Sequence, residues 1–417
     1  MKRVTIVGAG IVGICTALYL QRDGHEVTLV DPLGPAQGCS FGNGGLIQAG
    51  ACVPIATPGV LRAVPRMLLD PDQPLVIHWR HLARLMPYLV RFMAAARPGR
   101  VEAISRSLAS LLETALPSYR PLIEAARAAA LVQPAGELHI YESDAAFAGA
   151  QAAHELRRRR GVRMEVLDSD ELHRMEPALT PAIRRAVFLP EPEQTLDPYD
   201  FAVRLADHFV RSGGSVLREK VESIVVGQGR AVEIVTDAGR HAIDQLVIAA
   251  GAHSGRFAAQ LGTAVPLDTE RGYHLMLPDP GVRLSVPLMS GDFRFALVQM
   301  TRGIRLVGTA ELGKLDAAPN YARALRLLKP AQHILPGLCG EGGMPWMGHR
   351  PSMPDSLPVI CRSPRHTNAY FAFGHGHLGL TLAAATGRAI SDMIAGREPS
   401  VNMEAFHVSR YRTPLRA

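Results

Sequence analysis

The first thirty residues carry a strand, helix and strand pattern. Apolar and β-branched side chains from Arg3 to Val7 predict a strand. A helical stretch from Ile11 to Arg22 follows, and Glu26 to Val30 repeats the strand pattern. The chain is therefore expected to open with an α/β unit.

Three glycines and one acid punctuate this unit. Gly8, Gly10 and Gly13 stand at G-x-G-x-x-G spacing between the first strand and the helix, and Asp31 follows the second strand. Such glycines permit the tight turn, the approach of backbone to a pyrophosphate, and the packing of helix on strand. A carboxylate about 20 residues further on accepts hydrogen bonds from ribose hydroxyls and disfavours a 2′-phosphate. The unit predicts FAD or NAD rather than NADP.

A long helical region is predicted from Pro54 to about Ala130, with two apolar stripes that we expect to face the core. The first stripe is Leu75, Trp79, Leu82, Met86, Leu89 and Met93, and the second is Ile104, Leu108, Leu111, Ala115, Tyr119 and Leu122. Arg80, Arg84 and Arg91 lie off the first stripe. This helix could therefore also rest on an anionic lipid surface.

The remaining pattern predicts short strands, with a few helices between them. The predicted strands are Gly136 to Tyr141, Met164 to Leu167, Ser215 to Arg218, Val221 to Val226, Val232 to Thr236, Gln245 to Ala250, Tyr273 to Leu277, Phe295 to Gln299, Arg305 to Gly308 and Tyr370 to Phe373. Helices are predicted at Ala145 to Arg160, at Pro198 to Arg211, and from the loop Gly374 to Gly379 through Ile394, whereas Gly342 to Pro358 is expected to be rich in turns.

The fold class expected from this order is α/β, with two interleaved domains. A Rossmann-like dinucleotide-binding domain would comprise residues 1–50, 155–262 and 345–417. A second, α+β substrate domain with the helical insertion would comprise residues 51–154 and 263–344. A ligand would sit between them.

Composition narrows the class of protein. The 417 residues suffice for two cores, and the net charge of +7 comes from basic residues spread along the chain, which argues against a nucleic-acid partner. Five cysteines without a C-x-x-C pair encode neither a disulfide framework nor a metal site. No apolar run reaches the roughly 18 residues that span a bilayer. We expect a cytoplasmic protein with at most peripheral membrane contact.

Six segments together resemble the FAD-dependent D-amino acid oxidase superfamily, and most closely its bacterial D-amino acid dehydrogenases of the small-subunit type. They are GAGIVG at 8–13, Asp31, SFGNGG at 40–45, AAGAHS at 249–254, GHRPSMPDSLPVI at 348–360 and GHGHLGLTLAAATGR at 374–388. The resemblance spans nearly the whole chain. Some members of the superfamily attach FAD through a cysteine in the segment matching Trp346 to Asp355, which contains none here. The resemblance therefore implies non-covalent FAD.

The resemblance also implies which residues contact FAD. They are Gly8, Gly10, Ile11, Val12, Gly13, Asp31, Ser40, Asn43, Gly44, Gly45, Val221, Ala250, Gly251, Gly376, His377, Leu378, Gly379, Leu380 and Thr381. A helix that begins near Leu378 would point its unpaired N–H groups at flavin N1 and O2, where negative charge accumulates on reduction.

For the substrate, the resemblance implies that Arg350 forks both oxygens of a carboxylate. Tyr273 resembles a second carboxylate contact of the family. Alternation along its strand puts Arg271 and Tyr273 on one side and His274 on the other, and we expect Arg271 and Tyr273 to face the pocket. His375 and His377 flank the flavin loop, and both are candidate acids, bases or donors to the substrate.

The activity that the resemblance implies is the oxidation of a D-amino acid to an imino acid, which hydrolyses to a 2-oxo acid and ammonia. Electrons would pass to a quinone-type acceptor, which would suit a protein associated with the inner face of the bacterial inner membrane. One alternative is a dehydrogenase for D-proline or 4-hydroxy-D-proline. Another is a flavin-binding protein for electron transfer or assembly, without turnover.

Overall fold

The computed structural model describes residues 1–59, 75–77 and 82–411. Its helices are Ile11–Arg22, Leu82–Ala95, Pro98–Leu112, Ala115–Ala125, Asp144–Arg159, Ser169–Met175, Pro198–Arg211, Ser254–Gln260, Ala322–Leu325, Leu328–Ile334 and Gly379–Ala395. Short 3-10 turns lie at Ala129–Leu131, Gly251–His253, Gly376–Leu378, Glu404–Phe406 and Val408–Tyr411.

The strands of the described residues form four sheets. They are β1 (Arg3–Val7), β2 (Glu26–Val30), β3 (Leu46–Ile47), β4 (Leu75–Ile77), β5 (Val132–Pro134), β6 (Glu137–Tyr141), β7 (Glu165–Leu167), β8 (Arg185–Leu189), β9 (Glu193–Thr195), β10 (Ser215–Leu217), β11 (Val221–Gly227), β12 (Arg230–Thr236), β13 (Arg240–Ala242), β14 (Gln245–Ile248), β15 (Asp268–Leu277), β16 (Leu288–Ser290), β17 (Phe295–Met300), β18 (Gly303–Leu312), β19 (Met344–Ser352), β20 (Val359–Arg362) and β21 (Ala369–Phe373).

The predicted α/β unit is confirmed and lies in a six-stranded sheet of order β10-β2-β1-β14-β21-β20. Strand β1 pairs in parallel with β2 and with β14, and only β20 runs antiparallel to its neighbour in this sheet. The helices Ile11–Arg22 and Gly379–Ala395 pack against each other in the core beside this sheet. A parallel sheet of this kind binds ligands outside the carboxyl ends of its strands.

A nine-stranded, mostly antiparallel sheet forms the second layer, in the order β19-β15-β18-β17-β16-β6-β8-β7, with β4 paired to β18. Three of its strands lie in ranges that were predicted for the dinucleotide-binding domain, namely β7, β8 and β19. Those parts of the predicted domain ranges are therefore wrong. The predicted turn-rich stretch from Gly342 to Pro358 is also corrected, because residues 344–352 form strand β19.

The second apolar stripe is confirmed, but its helices support the nucleotide unit. Ile104, Leu108, Tyr119 and Leu122 are buried in the same core as the helices Ile11–Arg22 and Gly379–Ala395. Tyr119 also donates a hydrogen bond from its hydroxyl to the carbonyl oxygen of residue 380, at 2.6 Å. The predicted placement of this stretch in the substrate domain is therefore wrong.

The first predicted stripe does not form one buried face. Leu75 lies in strand β4, and the side chains at Met86 and Met93 are 42% and 47% exposed, whereas Leu85 and Tyr88 are buried. Trp79 and Arg80 lie outside the described residues, as do the side chains of Leu82 and Arg84. Within the described part of the chain, no helix has the length and apolar character needed to cross a bilayer.

Candidate active site

The turn after β1 leaves no room for side chains. Gly8 has φ +109°, a conformation that favours glycine, and a Cβ there would collide with the carbonyl oxygen of Ala249. A Cβ on Gly13 would collide with the carbonyl oxygen of Gly8, so the helix packs directly on the strand. These contacts are the ones that a dinucleotide-binding turn requires.

Asp31 and Ser40 complete this turn. The Asp31 carboxylate accepts hydrogen bonds from the N–H of Ala9 at 3.0 Å and of Leu33 at 2.9 Å, which fixes it beside the turn. The N–H of Ile11 donates to Ser40 Oγ at 2.9 Å. Helix geometry gives Val12 and Gly13 no intrahelical acceptor for their N–H groups, so this end of the helix can bind an anion.

The loop from Gly42 to Gly45 contains three of the predicted FAD contacts and is called the cofactor loop below; it joins the two layers. Gly45 has φ +81°, and its N–H donates to Asn43 Oδ1 at 2.9 Å. Arg305 of the large sheet donates from Nη1 to the carbonyl oxygen of Asn43 at 2.6 Å. Gly44 packs against a side chain of the same sheet. The loop is thereby held between the six-stranded sheet and the nine-stranded sheet.

Three other predicted cofactor residues lie at the ends of two strands, β14 and β11. Ala250 and Gly251 follow β14, and a Cβ on Gly8 would be 2.9 Å from Cα of Ala250. Val221 starts β11, packs in one core with residues of β1 and β2, and accepts a hydrogen bond from Arg256 Nη2 at 2.7 Å on its carbonyl oxygen.

The final glycine-rich loop, residues 374–379, leads into the last long helix. Gly376 has φ +55°, and a helix begins at Gly379, as predicted. The side chains of Leu378, Leu380 and Thr381 are buried, and Thr381 Oγ1 donates to the carbonyl oxygen of residue 46 at 3.1 Å. Any contact of these three residues with the cofactor would therefore run through their backbone. His377 is exposed.

His375 does not fit the catalytic role that we predicted for it. Its side chain is only 3% exposed, and its Nε2 lies 2.9 Å from Thr386 Oγ1 of the following helix. Burial lowers its pKa to about 3. The ring is therefore neutral and turned into the core, where it cannot reach a substrate.

Arg350 lies on strand β19 directly opposite Glu270 of β15. Its Nη1 is 2.7 Å from Glu270 Oε1, and its side chain is 24% exposed. The guanidinium group rests over Gly272, where a Cβ would lie 2.5 Å from Arg350 Cζ. The same face of the sheet carries His274 and Trp346, whose rings stack with centroids 4.9 Å apart.

Arg271 and Tyr273 lie on the opposite face, so the prediction that they face the pocket is wrong. Arg271 pairs with Glu311 at 3.2 Å, and the Tyr273 hydroxyl donates to Glu311 at 2.5 Å. Both side chains are at least 98% buried. The predicted alternation of these residues with His274 is confirmed, but the cofactor loop packs on the side of the strand that carries His274.

His274 and Glu270 were missed as site residues. Burial, together with Arg305, lowers the pKa of His274 to about 3, so the ring is neutral and its Nδ1–H donates to the carbonyl oxygen of Gly42 at 3.1 Å. A charged Glu270 next to the strand Tyr273 to Leu277 was the available signal in the sequence. A carboxylate that continues a buried strand indicates a charged partner.

Comparison with known proteins gives consistent matches. A family model described as "DAO: FAD dependent oxidoreductase" matches residues 3–393. The D-amino-acid oxidase of Bradyrhizobium diazoefficiens is 35% identical, over 98% of this chain and 99% of its own. The D-amino acid dehydrogenase of Allorhizobium ampelinum is 31% identical over 98% of both chains. The structure of glycine oxidase from Geobacillus kaustophilus is similar in fold, with a TM-score of 0.75, 21% identity, and coverage of 98% of this chain and 99% of that chain.

Proposed function

Because this chain belongs to the DAO family of FAD-dependent oxidoreductases, we propose that it oxidatively deaminates a D-amino acid. The substrate loses a hydride from Cα and a proton from its amino group, and water hydrolyses the resulting imino acid to a 2-oxo acid and ammonia. FAD, held by the residues around the first turn, would supply the two-electron acceptor, and a quinone-type acceptor would reoxidise it. The coarser activity, FAD-dependent oxidation of an amino acid, is shared by the relatives that the chain matches.

The residues around the first turn fit FAD. The close contacts at Gly8 and Gly13 leave space only for backbone, and Ile11 to Gly13 begin a helix that can hold a pyrophosphate. Asp31, which accepts a hydrogen bond from the N–H of Ala9, would also accept from ribose hydroxyls. When bound, FAD supplies a two-electron acceptor at flavin N5. We propose that the cofactor is held without a covalent bond.

Arg350 is the observation that supports an amino-acid substrate. Its guanidinium is partly exposed, lies on the sheet face that carries the cofactor loop, and is held in one orientation by Glu270 and Gly272. A guanidinium can donate two parallel hydrogen bonds to a carboxylate in one plane. This geometry would aim the Cα–H bond of the substrate at the cofactor. A clamp of this kind has no use in a flavin-binding protein without turnover.

An anaerobic spectral screen tests this proposal. The yellow holoenzyme should bleach with at least one D-amino acid or cyclic D-imino acid, and the panel should include D-proline and 4-hydroxy-D-proline, which would use the same clamp. A protein that stays yellow with D-, L- and N-alkyl amino acids would instead be a binding or electron-transfer protein.

Replacement of Arg350 tests its proposed contact with the substrate carboxylate directly. Arg350→Leu should raise KM and lower kcat while FAD stays bound, because the side chain orients substrate and not cofactor. Arg240→Leu is a matched control, since it removes a guanidinium from an ion pair between Arg240 of β13 and Glu233 of β12, where the Arg240 side chain is exposed. Wild-type kinetics in Arg350→Leu would disprove the carboxylate assignment.

The electron acceptor and a membrane contact belong to the same proposal. Met86, Val90 and Met93 are exposed at positions i, i+4 and i+7 of one helix, which supports peripheral contact with a lipid surface. Rates with oxygen and with a quinone analogue would distinguish oxidase from dehydrogenase. Sedimentation of the holoenzyme with anionic vesicles, compared with Met86→Ser, tests the contact.

A further inference from the structure

Glu270 is the carboxylate that faces Arg350 across the sheet. Its Oε1 lies 2.7 Å from Arg350 Nη1, and its Oε2 lies 3.4 Å from Ser352 Oγ, a long contact. The side chain of Glu270 is 15% exposed. Both side chains are therefore partly exposed at the position where the proposed substrate would bind.

The ion pair can accept a further ligand without breaking. A guanidinium carries five N–H donors, and a carboxylate offers about four acceptor sites. The contact between Arg350 and Glu270 uses one of each. An amino-acid zwitterion carries the complementary pair of groups, because its carboxylate matches Arg350 and its ammonium matches Glu270.

Tyr88, which lies near this ion pair, adds no charge to the site. Burial first, and then the charge of Glu270, raise the pKa of the Tyr88 hydroxyl well above its ordinary value. Tyr88 thus remains protonated and uncharged beside the carboxylate. The cation that offsets the charge of Glu270 is Arg350, which would turn part of its charge toward the substrate carboxylate.

We propose that Glu270 binds the amino group of the substrate while Arg350 binds the carboxylate, so that the site selects zwitterions with neutral or basic side chains and rejects a second carboxylate. This inference rests on the proposed function. A carboxylate that lacks an amino group would approach Arg350 against the repulsion of Glu270, whereas an amino acid would be attracted to both residues.

The experiment compares two ligands in the holoenzyme. The spectral shift of the flavin gives the Kd for propionate, which has no amino group, and anaerobic flavin reduction gives the apparent Kd for D-alanine. In Glu270→Gln we expect D-alanine to bind about 10- to 100-fold more weakly, the range for loss of a charge-assisted hydrogen bond. We expect propionate to bind about 3- to 10-fold more tightly, because a like charge is gone.

The opposite changes expected in the affinities for D-alanine and propionate distinguish a binding role of Glu270 from a positioning role. If Glu270 only held Arg350 in place, both ligands would weaken in Glu270→Gln, and that outcome, or no change in D-alanine binding, would overturn the inference. Asp268→Asn is the matched control, because Asp268 lies two residues away on the same face and pairs across the sheet with Ser352. It should change neither affinity by more than about 3-fold.

The wild-type enzyme gives a second measurement that needs no variant to fold. D-alanine should bind more tightly than propionate, and D-aspartate should reduce the flavin more slowly than D-asparagine. Equal values in either pair would also overturn the inference. A holoenzyme that no amino acid reduces would contradict the proposed function instead, and the two failures are therefore distinguishable.

Discussion

The glycine under the guanidinium of Arg350 permits a sharp prediction. A Cβ on Gly272 would lie 2.5 Å from Arg350 Cζ and Nε and 2.6 Å from Nη2. Non-bonded carbon contacts need about 3.5–4.0 Å, so Gly272→Ala should push the guanidinium away by about 1 Å or slightly more. The atoms that must move are the far end of a flexible side chain, and the fold should therefore be retained.

The magnitude follows from the proposed role of Arg350 in orienting the substrate. A misplacement of about 1 Å can cost about 100-fold in rate, which corresponds to about 2.7 kcal/mol of transition-state stabilisation. We expect kcat/KM of Gly272→Ala to fall by about that factor, through a lower kcat together with a higher KM. Anaerobic stopped-flow reduction across a range of substrate concentrations measures it, and the flavin content of the purified protein shows whether the cofactor site is intact.

A second strand glycine serves as the control. Gly227→Ala would place its Cβ 3.8 Å from Val232, an ordinary contact, and should leave kcat/KM unchanged. The reasoning would be refuted if Gly272→Ala kept wild-type kcat/KM, since Arg350 would then not need its present position. It would also be refuted if the variant lost FAD while its thermal unfolding stayed unchanged, since the guanidinium would then serve the cofactor.

Two further predictions concern stability. Arg410→Met should lower the free energy of unfolding by about 3 kcal/mol, because it removes a cation 2.9 Å from the buried Asp355 carboxylate; equal urea midpoints for the variant and the wild type would contradict this. Burial lowers the pKa of His274 and His375 to about 3 from 6.5. Because the pKa of each histidine is lower in the folded state, the unfolded state takes up the proton first. The free energy of unfolding is therefore full above pH 6.5 and falls as the pH drops toward 3, by up to about 1.4 kcal/mol per pH unit for each histidine. Urea unfolding at pH 7.5 and 5.0 measures it, and His375→Asn should show a smaller change than the wild type.

The start of the fold could be predicted almost to the residue. The strands Arg3–Val7 and Glu26–Val30 and the helix between them were predicted with the bounds that the structure has. Strand propensity, glycine spacing and the acid all indicate the same unit there, and agreement between independent signals makes a prediction reliable.

Strand β19 could not be predicted because its residues resemble a turn. Pro345, Gly348 and Pro351 interrupt the strand pattern. The structure accommodates both prolines because β19 lies at the edge of its sheet, where a missing N–H donor is tolerated. An edge position is a property of tertiary structure, and the local sequence does not encode it.

The buried side of the helix Leu82–Ala95 also depends on tertiary contacts. Leu85 and Met86 are adjacent and both apolar, so periodicity alone fits either one at the core. Leu85 is buried because it packs against Leu312 at the end of β18, and Met86 then points outward. The same limitation applies to the two sides of β15, where alternation separated the residues but did not show which side carries the cofactor loop.

Strand β15 separates its structural contacts from its proposed binding residues by alternation. Arg271 and Tyr273 are fixed to Glu311 on one face, and Glu270 and Gly272 hold the Arg350 guanidinium on the other. Because all four residues share one stretch of backbone, disruption of the interactions on the Glu311 face would also shift the groups on the Arg350 face. A kinetic defect in a variant of Tyr273 would therefore not identify it as a substrate contact. Only a change that separates ligand affinity from stability, as expected for residues 270 and 272, assigns a residue to the binding face.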